Sequence, residues 1–336
     1  MNHSIFSFIP GIVIALIVCL QSSVKAEATL FPNLNIDFDG RSAAMAGAAV
    51  AVTEGAAAVM TNPAATVSVN KNQAFIGYRT IVDGVWGAPI VYSRSLRQWG
   101  VFSAQICGVN AQIDEVIDEL DGEPVFTGKT GGAQYLTGGL SWGYRIRKDL
   151  SVGASLKGLY NRLDDGYTIY STKAVAFDGG ILYSALRNRF TFGAAIRNAG
   201  FVFKGFDEKR YDMPFTFEAG VSYVGLQLSS MRLTLDVNKK VGDYFNFEPA
   251  VDISIYKNIL SLRLGYAFSD RDARYFFKKL GGNRDEDYIK TNWNTFCVGL
   301  GFDKKIDRTN VGIDLAMQFH SSFITPSTIV STFVDF

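Results

Sequence analysis

The chain has 336 residues, of which 48% are hydrophobic and 19% are charged, and this composition fits either a globular protein or a membrane β-barrel. Lys and Arg number 33 against 32 Asp and Glu, so the formal net charge is +1. Nucleic-acid binding is therefore disfavoured, because there is no basic surplus to meet a polyanion.

The first 26 residues differ from the rest and are predicted to be a secretory signal peptide cleaved after Ala26. An unbroken apolar run extends from Ile12 to Leu20, although no Lys or Arg precedes it. A lipoprotein modified at Cys19 is the less favoured alternative, because Val18 fits a lipidation site poorly. Cleavage removes Lys25, so 32 of the 33 basic residues remain against 32 acidic ones.

Residues 27–70 lack polar–apolar alternation and are predicted to form a compact segment that fills a barrel lumen. Small residues dominate from Arg41 to Val59, and they permit close backbone packing. Asn62 and Pro63 follow, and this pair favours a turn that ends any helix begun upstream.

From about residue 73 onward, fourteen segments alternate between polar and apolar residues and are predicted to be strands. In one of them Leu260, Leu262 and Leu264 share a face opposite Ser261 and Arg263. Most of the segments reach the length of a tilted transmembrane strand. They comprise 73–82, 85–94, 99–110, 134–146, 150–162, 172–184, 189–199, 214–225, 230–240, 245–256, 259–268, 292–303, 310–320 and 328–336.

The linkers between these strands are mostly short after even-numbered strands and long after odd-numbered ones. The long linkers include 111–133, 200–213 and 269–291, while Asp83-Gly84 is a short exception. Bacterial outer-membrane barrels have this asymmetry, with short turns on the periplasmic side and long loops outside. A soluble β-sandwich is the alternative, but nothing in a sandwich would sort its loops in this way.

These patterns predict an all-β fold: a fourteen-stranded antiparallel transmembrane β-barrel with an N-terminal luminal hatch. The ring must close, because lipid leaves no partner for unpaired backbone groups. The predicted division is 1–26 signal peptide, 27–70 hatch and 71–336 barrel. Gly108 is a candidate for a kink in the third strand, since glycine in a strand can mark a bend.

A family resemblance rests on motifs along most of the mature chain. They are Gly40 to Ala48, Glu54 to Ala58, Asn62 to Ala64, Leu150 to Gly158, Ala176 to Gly180 and Phe192 to Gly200, together with the strand pair Leu233 to Lys239 and Phe247 to Ile255. The chain resembles the FadL-like outer-membrane family, especially the branch that contains PorV and PorQ and uncharacterised spirochaetal relatives.

The resemblance implies a fourteen-stranded outer-membrane barrel whose lumen is plugged by the N-terminal hatch, and it leaves two functions open. FadL-type members pass long-chain fatty acids or other hydrophobic compounds by diffusion. PorV-type members dock or escort cargo of type IX secretion. The expected partners are therefore outer-membrane lipid with either a hydrophobic small molecule or secretion machinery, and the passive conduit is favoured.

The same resemblance places candidate hatch residues at Gly40, Arg41, Met45, Gly47, Asn62, Pro63 and Ala64. Alternate residues of a strand face the same side, and this strand parity places further charges on the lumen face. They are Lys157, Arg197, Arg232 and Arg263, with Asp178, Glu218, Asp236, Glu248, Asp252 and Asp314. One interpretation is that a basic residue binds an anionic head group. The favoured interpretation is a mutually compensating network that holds the hatch, because buried charges must be paired.

Enzymatic activity, a metal and a cofactor are not predicted. The mature chain has one histidine, His320, and the neighbouring Ser321 points to the opposite face of a strand. An outer-membrane hydrolase therefore ranks third among the hypotheses. There is no His/Cys cluster with metal-ligand spacing. Cys107 and Cys297 are predicted to be free, buried thiols, and a disulfide is the less favoured alternative, since they fall on strands far apart in the ring.

Overall fold

The computed structural model describes residues 30–52, 54–113, 117–120, 123–126, 128–206, 211–225, 231–256, 259–271, 295–320 and 325–336. The predicted signal peptide lies outside these ranges. Among the described residues, no helix has the length and apolarity needed to cross a membrane.

Strands account for most of the described chain. In order they are β1 (Asn72–Val82), β2 (Val85–Ser95), β3 (Val101–Ile113), β4 (Ile117–Leu120), β5 (Glu123–Phe126), β6 (Gly131–Arg147), β7 (Leu150–Asp164), β8 (Ile169–Ala185), β9 (Phe190–Lys204), β10 (Thr216–Val224), β11 (Met231–Lys240), β12 (Phe245–Tyr256), β13 (Leu260–Ser269), β14 (Thr295–Ile306), β15 (Thr309–His320) and β16 (Ser327–Asp335).

Fourteen of these strands form one closed antiparallel barrel, which confirms the predicted fold class. Each strand pairs with its neighbours along the chain, and β1 pairs with β16 to close the ring. Beyond β16, the amide of Phe336 donates to the carbonyl of Asn72 at 3.1 Å. No edge is left in the ring, as a membrane requires.

The structure corrects three details of the predicted elements. The third strand begins at Val101 rather than residue 99, because Arg97–Trp99 form a 3-10 turn. The predicted 111–133 linker is shorter, since β3 and β6 extend into it, and β4 and β5 form a separate hairpin within it. The predicted 200–213 linker is shortened in the same way, because β9 continues to Lys204.

Side chains alternate between a buried inner face and an exposed apolar outer face. On β1, Phe75 and Arg79 point inward and are buried, whereas Ile76 and Tyr78 are about half exposed. Leu140 on β6 is 69% exposed on the outer face. Such an apolar exterior around a polar interior is the pattern of a barrel in lipid and the reverse of a soluble barrel.

Strand pairing in the wall is irregular at several places, and none of them is Gly108. The pairing of β3 with β2 and β6 runs through Gly108 without a register shift, so the predicted kink there is wrong. One irregularity is a bulge that interrupts the pairing of β8 with β9, where Phe177 pairs with Ala199 but Gly179 pairs with Ile196. The bulged Asn198 has a φ of 60°, a conformation that Asn tolerates better than most residues.

Residues 30–70, here called the luminal segment, form short helices inside the ring. They comprise α1 (Gly40–Ala44) and three 3-10 helices at Pro32–Asn35, Ala56–Met60 and Pro63–Ser68. Alanines and valines of this segment are almost completely buried. The segment contacts strands on all sides of the closed ring, and it therefore lies in the lumen.

Candidate functional site

Side-chain caps fix the two main turns of the luminal segment. The carboxylate of Asp39 accepts hydrogen bonds from the backbone amides of Arg41 and Ser42, and it caps α1. The side-chain oxygen of Asn62 accepts from the amide of Ala64 at 3.1 Å, and Pro63 occupies the first helical position after it. Both caps follow ordinary N-terminal capping chemistry.

Asn62 also ties the segment to itself and to the wall. Its Nδ2 donates to the carbonyl of Val50 at 2.8 Å and to the carbonyl of Ile181 on β8 at 3.1 Å. The side chain is completely buried, so water cannot replace these bonds.

Glycines on the wall allow the luminal segment to lie directly against the strands. A Cβ added at Gly153 on β7 would lie 2.3 Å from the carbonyl carbon of Pro63. A Cβ at Gly265 on β13 would lie 2.3 Å from the carbonyl carbon of Met45. Any larger residue at either position would push the segment away from the wall.

A continuous set of charges joins the luminal segment to one side of the wall. Arg41 donates to Asp252 at 3.1 Å, and Arg263 pairs with both Asp252 and Asp314. At the other end, Glu54 lies 3.6 Å from Arg41 and 3.4 Å from Arg232. This set of six charges, here called the ionic latch, contains two groups from the segment and four from strands β11, β12, β13 and β15.

The remaining predicted luminal charges are also held by polar partners. Lys157 lies 2.8 Å from Asp178, and Arg197 pairs with Glu218 and donates to the carbonyl of Met60 at 3.0 Å. The carboxylate of Asp236 accepts from the amide of Val50 at 2.8 Å. Glu248 accepts from Asn238 at 2.5 Å. Three of these contacts join neighbouring strands, while those to Met60 and Val50 reach the luminal segment.

The other predicted hatch residues lie at contacts between the luminal segment and the wall. The amide of Gly40 donates to the Ser331 hydroxyl at 2.9 Å, and Met45 is buried beside Ala250. Gly47 has a φ of 97° and faces the carboxylate of Glu248. Pro63 and Ala64 are buried against β7.

Three polar residues that make contacts at the site were not predicted from the sequence: Arg79, Gln73 and Glu54. Arg79, buried on β1, donates to the carbonyl of Asp37 at 2.7 Å and to Ser327 at 3.0 Å. Gln73 accepts from the amide of Ala56 and donates to Asp335 at 2.6 Å. Glu54 belongs to a recognised motif but was not proposed as a latch charge. Strand parity could have revealed Arg79 and Gln73, because they share the inward face of β1 with Phe75.

A cavity of about 1050 Å³ lies below the luminal segment, at the end of the barrel where the short turns are found. Its lining includes the whole ionic latch. Near the opening it is lined by Lys71, Asp303 and Arg308. The cavity is therefore a water-accessible, charged chamber, and one side of it is formed by the luminal segment.

An apolar cluster lies at the opposite end of the luminal segment. Leu30 and Phe31 pack against Leu159, Ala174 and Met213. The side chain of Asn161 donates to the carbonyl of Leu30 at 3.1 Å and holds Leu30 against the wall. Along the axis, the interior thus changes from an apolar environment to a charged one, with the luminal segment between them.

Asp39 lies on the luminal segment rather than on a membrane-spanning strand. Burial raises the pKa of its carboxyl group to about 6, and the nearby charge of Asp314 contributes in the same direction. The hydrogen bond from the Ser42 amide and the charges of Arg41 and Arg263 lower the pKa but do not cancel this shift.

Other chemistry has little structural basis in the described part of the chain. No group of three or more His, Cys, Asp or Glu side chains there is arranged to hold a metal ion. His320 Nδ1 lies 2.9 Å from the hydroxyl of Thr295, while Ser321 and Ser322 are outside the described residues. Cys107 and Cys297 are free, as predicted, but only Cys297 is buried and Cys107 is half-buried.

Together the fold and this interior define a closed fourteen-stranded β-barrel of the membrane type, with its lumen occupied by an N-terminal segment. Among solved structures, the toluene transporter TodX of Pseudomonas putida is similar to the chain at a TM-score of 0.64 and 12% identity, over 90% of this chain and 99% of that one. CymD, a monoaromatic hydrocarbon channel, is similar at a TM-score of 0.59 and 12% identity, over 92% and 98%.

A FadL homologue from Pseudomonas aeruginosa is similar at a TM-score of 0.51 and 10% identity, over 88% of this chain and 97% of that one. These likenesses establish a shared FadL-like fold. No family model matches the sequence, and no curated protein matches it either.

Proposed function

We propose that the chain is an outer-membrane channel through which small hydrophobic or amphipathic molecules diffuse, with the luminal segment as a movable hatch. The observation that carries the proposal is a lumen occupied by a segment that is held by discrete polar contacts, inside a wall with an apolar exterior. Residues 1–26 would direct export and be removed, and residues 27–70 would form the hatch. No enzymatic step is part of this function.

The structural neighbours support the choice of cargo. TodX is described as a toluene transporter and CymD as a monoaromatic hydrocarbon channel. In this chain the apolar cluster around Phe31 and Leu159 offers a surface for an apolar body. The charged chamber below the hatch suits a polar head group, so amphipathic molecules such as long-chain fatty acids belong to the proposed cargo.

Gating follows from the nature of the contacts around the hatch. Main-chain ladders close the wall continuously, whereas the hatch depends on side-chain ties such as those of Asn62 and Arg41. The free energy needed to shift the hatch is therefore smaller than that needed to open the ring. A ligand that contacts the shifted hatch better than the closed one would favour passage.

A cross-link between hatch and wall tests this function. Gly40 and Ser331 are close enough for a disulfide, because a Cβ on Gly40 would lie 3.0 Å from the Ser331 hydroxyl oxygen. The same Cβ would lie 2.9 Å from the carbonyl oxygen of Asp314, so the reduced G40C/S331C variant is the reference for the oxidised one. The test uses intact cells that express G40C/S331C in a chain whose native cysteines are replaced by Ser. We expect formation of the disulfide by an oxidant to slow their uptake of toluene or oleate several-fold. Reduction should restore uptake, and each single-cysteine variant should not respond to oxidant.

Two results would contradict the channel function. One is uptake by cells expressing the wild-type chain that equals uptake by cells without it. The other is full uptake while the cross-link is shown to be formed.

A docking barrel of a type IX-like secretion system is the alternative, and it rests on the sequence resemblance to PorV and PorQ. Such a barrel would bind its partners through the long loops 111–133 and 269–291, and the second of these lies outside the described residues beyond residue 271. No contact in the described chain favours docking over passage.

A further inference from the structure

The end of the barrel that carries the short turns, here called the short-turn rim, is strongly basic. Its described acidic residues are Asp149, Asp303, Asp307 and Asp335. Its described basic residues are Lys71, Arg94, Arg97, Arg145, Arg147, Lys148, Arg187, Arg189, Lys304, Lys305 and Arg308, and every one of them is exposed. This excess contrasts with the balanced net charge of the whole chain.

Six of the seven described arginines of this rim have no carboxylate partner among the described residues, and four of these six lie at two turns that also carry large exposed apolar side chains. They are Arg94 and Arg97, around the β2–β3 turn, and Arg187 and Arg189, in the β8–β9 turn. Arg147 differs, since its Nε lies 3.3 Å from Asp149. The four unpaired guanidinium groups can therefore accept an external anion without first breaking an ion pair.

Large apolar side chains project beside the same arginines. Trp99 is 67% exposed next to Arg97, and Leu186 is 71% exposed next to Arg187. Leu96 is exposed in the same turn as Arg97, and Ile146 is exposed at the end of β6, between Arg145 and Arg147. Apolar and aromatic groups mixed with basic ones are typical of surfaces that lie at the boundary between acyl chains and lipid head groups.

The backbone of these turns is held in an unusual conformation. Arg97, Leu186 and Arg187 have φ values of 51°, 49° and 58°, in the left-handed region that Gly and Asn normally occupy. Non-glycine residues in this region are strained, and such strain points to a function of the side chains that are presented. Five non-glycine residues of this rim have a positive φ: Arg97, Leu186 and Arg187, together with Asn188 and Asp307 at 64° and 53°.

The opposite rim does not have this character. Its described charges are of both signs, and several basic groups there already have partners. Lys204 donates to Ser171 at 3.1 Å, Arg162 lies 3.7 Å from Asp164, and Lys129 lies 3.4 Å from the centre of the Tyr167 ring.

We propose that the short-turn rim binds the phosphate-bearing head groups of anionic phospholipids in the leaflet that this rim faces. The inference rests on the membrane location in the proposed function. The guanidinium group matches phosphate oxygens through paired hydrogen bonds, and Trp99 and Leu186 would lie among the adjoining acyl chains. Lipid is the occupant that accounts for the apolar and the basic side chains together, because a soluble anion would leave the former exposed.

The test compares lipid retention by purified protein with phosphatidylglycerol and phosphatidylcholine as probes. We expect native mass spectrometry to show several-fold more phosphatidylglycerol than phosphatidylcholine on the wild-type chain. The variant R94Q/R97Q/R187Q/R189Q should lose this preference. The matched control K129Q/R162Q/K173Q/K204Q removes the same charge from the opposite rim and should keep it.

Two outcomes would overturn the inference: unchanged phosphatidylglycerol retention by the short-rim variant, or equal loss in both variants, which would reflect net charge alone. If the fourfold variant does not fold, L186N/R187G replaces it, because Asn and Gly favour positive φ. This variant should fold at least as stably as the wild-type chain and retain less phosphatidylglycerol. The measurement requires no passage of solute, so a chain that transports nothing would still show the preference.

Discussion

The Nζ of Lys157 on β7 lies 2.8 Å from Oδ1 of Asp178 on β8, at the bulge in the wall. The same ammonium group donates to the side-chain oxygen of Asn198 at 2.6 Å. The backbone amide of Asn198 donates to the carboxylate of Asp178 at 2.8 Å. All three side chains are almost fully buried. The bulge is thus held by a closed polar triad where the regular β8–β9 ladder is interrupted.

Removing the cation of this triad should destabilise the barrel strongly. In K157M, Asp178 would remain buried without its counter-charge, which typically costs about 3–5 kcal/mol. We expect the urea concentration at the unfolding midpoint to fall accordingly when tryptophan fluorescence is followed in detergent. R162Q is the matched control on the same strand, because its exposed pair with Asp164 should contribute about 1 kcal/mol or less. Equal effects of the two substitutions would contradict a structural role for the triad.

Asn62 is predicted to hold the hatch closed. N62A removes two bonds to buried carbonyl groups and the cap on Ala64, each worth about 1 kcal/mol. The ring itself should persist, since its main-chain ladders are unaffected. We expect faster amide hydrogen exchange across residues 54–68 and faster solute uptake.

N246A is the control for this prediction, because Asn246 donates to Asn238 of the neighbouring strand at 3.2 Å. It should leave exchange in the hatch unchanged. G180A tests the same contacts from the wall, since a Cβ there would lie 2.0 Å from the side-chain oxygen of Asn62 and would displace it. We expect G180A to speed exchange in the hatch as N62A does. Unaltered hatch exchange in both N62A and G180A would show that Asn62 does not hold the hatch.

The ring of strands could be predicted from the sequence because lipid outside and polar groups inside impose a period of two. Leu262 and Arg263 illustrate this, since adjacent residues of opposite polarity must face opposite sides. The Asn198 bulge breaks this period, because one extra residue reverses the parity of the rest of β9. Phe192 before the bulge and Phe201 and Phe203 after it are all exposed, so a strict period of two could not predict the bulge. Gly108 was a misleading signal, since glycine is tolerated in a regular strand.

The candidate site was less predictable than the wall. Parity placed Arg263 and Asp252 on the inner face, but it could not determine which charges pair. Pairing depends on the path of the luminal segment, and that path is set by local caps and by wall glycines such as Gly153. The pairing of Glu54 with Arg41 and Arg232 is therefore a result of tertiary structure alone.

The two ends of the ionic latch should respond differently to substitution. Arg263 is buried between Asp252 and Asp314, so R263Q would leave two carboxylates poorly compensated and should cost about 3–5 kcal/mol. Glu54 is 55% exposed, so E54Q should cost about 1 kcal/mol or less. Urea unfolding in detergent measures both changes.

E54Q should nevertheless increase solute uptake, because it removes the contacts of the hatch with Arg41 and Arg232. Salt should imitate the substitution in the wild-type chain and have less effect on E54Q, since exposed ion pairs are screened. The control is D149N, which removes an exposed pair with Arg147 far from the hatch. An increase in uptake for D149N equal to that for E54Q would contradict the latch.

The pKa of Asp39 predicts how the stability of the hatch depends on pH. Because its folded-state pKa of about 6 lies above the ordinary value of 3.8, protons bind more tightly to the folded chain. The resulting stabilisation is fully present below about pH 4 and is lost as the pH rises through about 6.

The variant D39N removes this titration and keeps one acceptor for the α1 amides. We therefore expect the unfolding free energy of D39N to exceed that of the wild-type chain increasingly from about pH 4 to about pH 7, by ~3 kcal/mol at most. D39A provides the control, because it also loses the titration but gives up the whole cap, so it should lie about 1 kcal/mol below D39N at every pH. A difference between D39N and the wild-type chain that stays constant across this pH range would show that the carboxyl group does not titrate in the folded barrel.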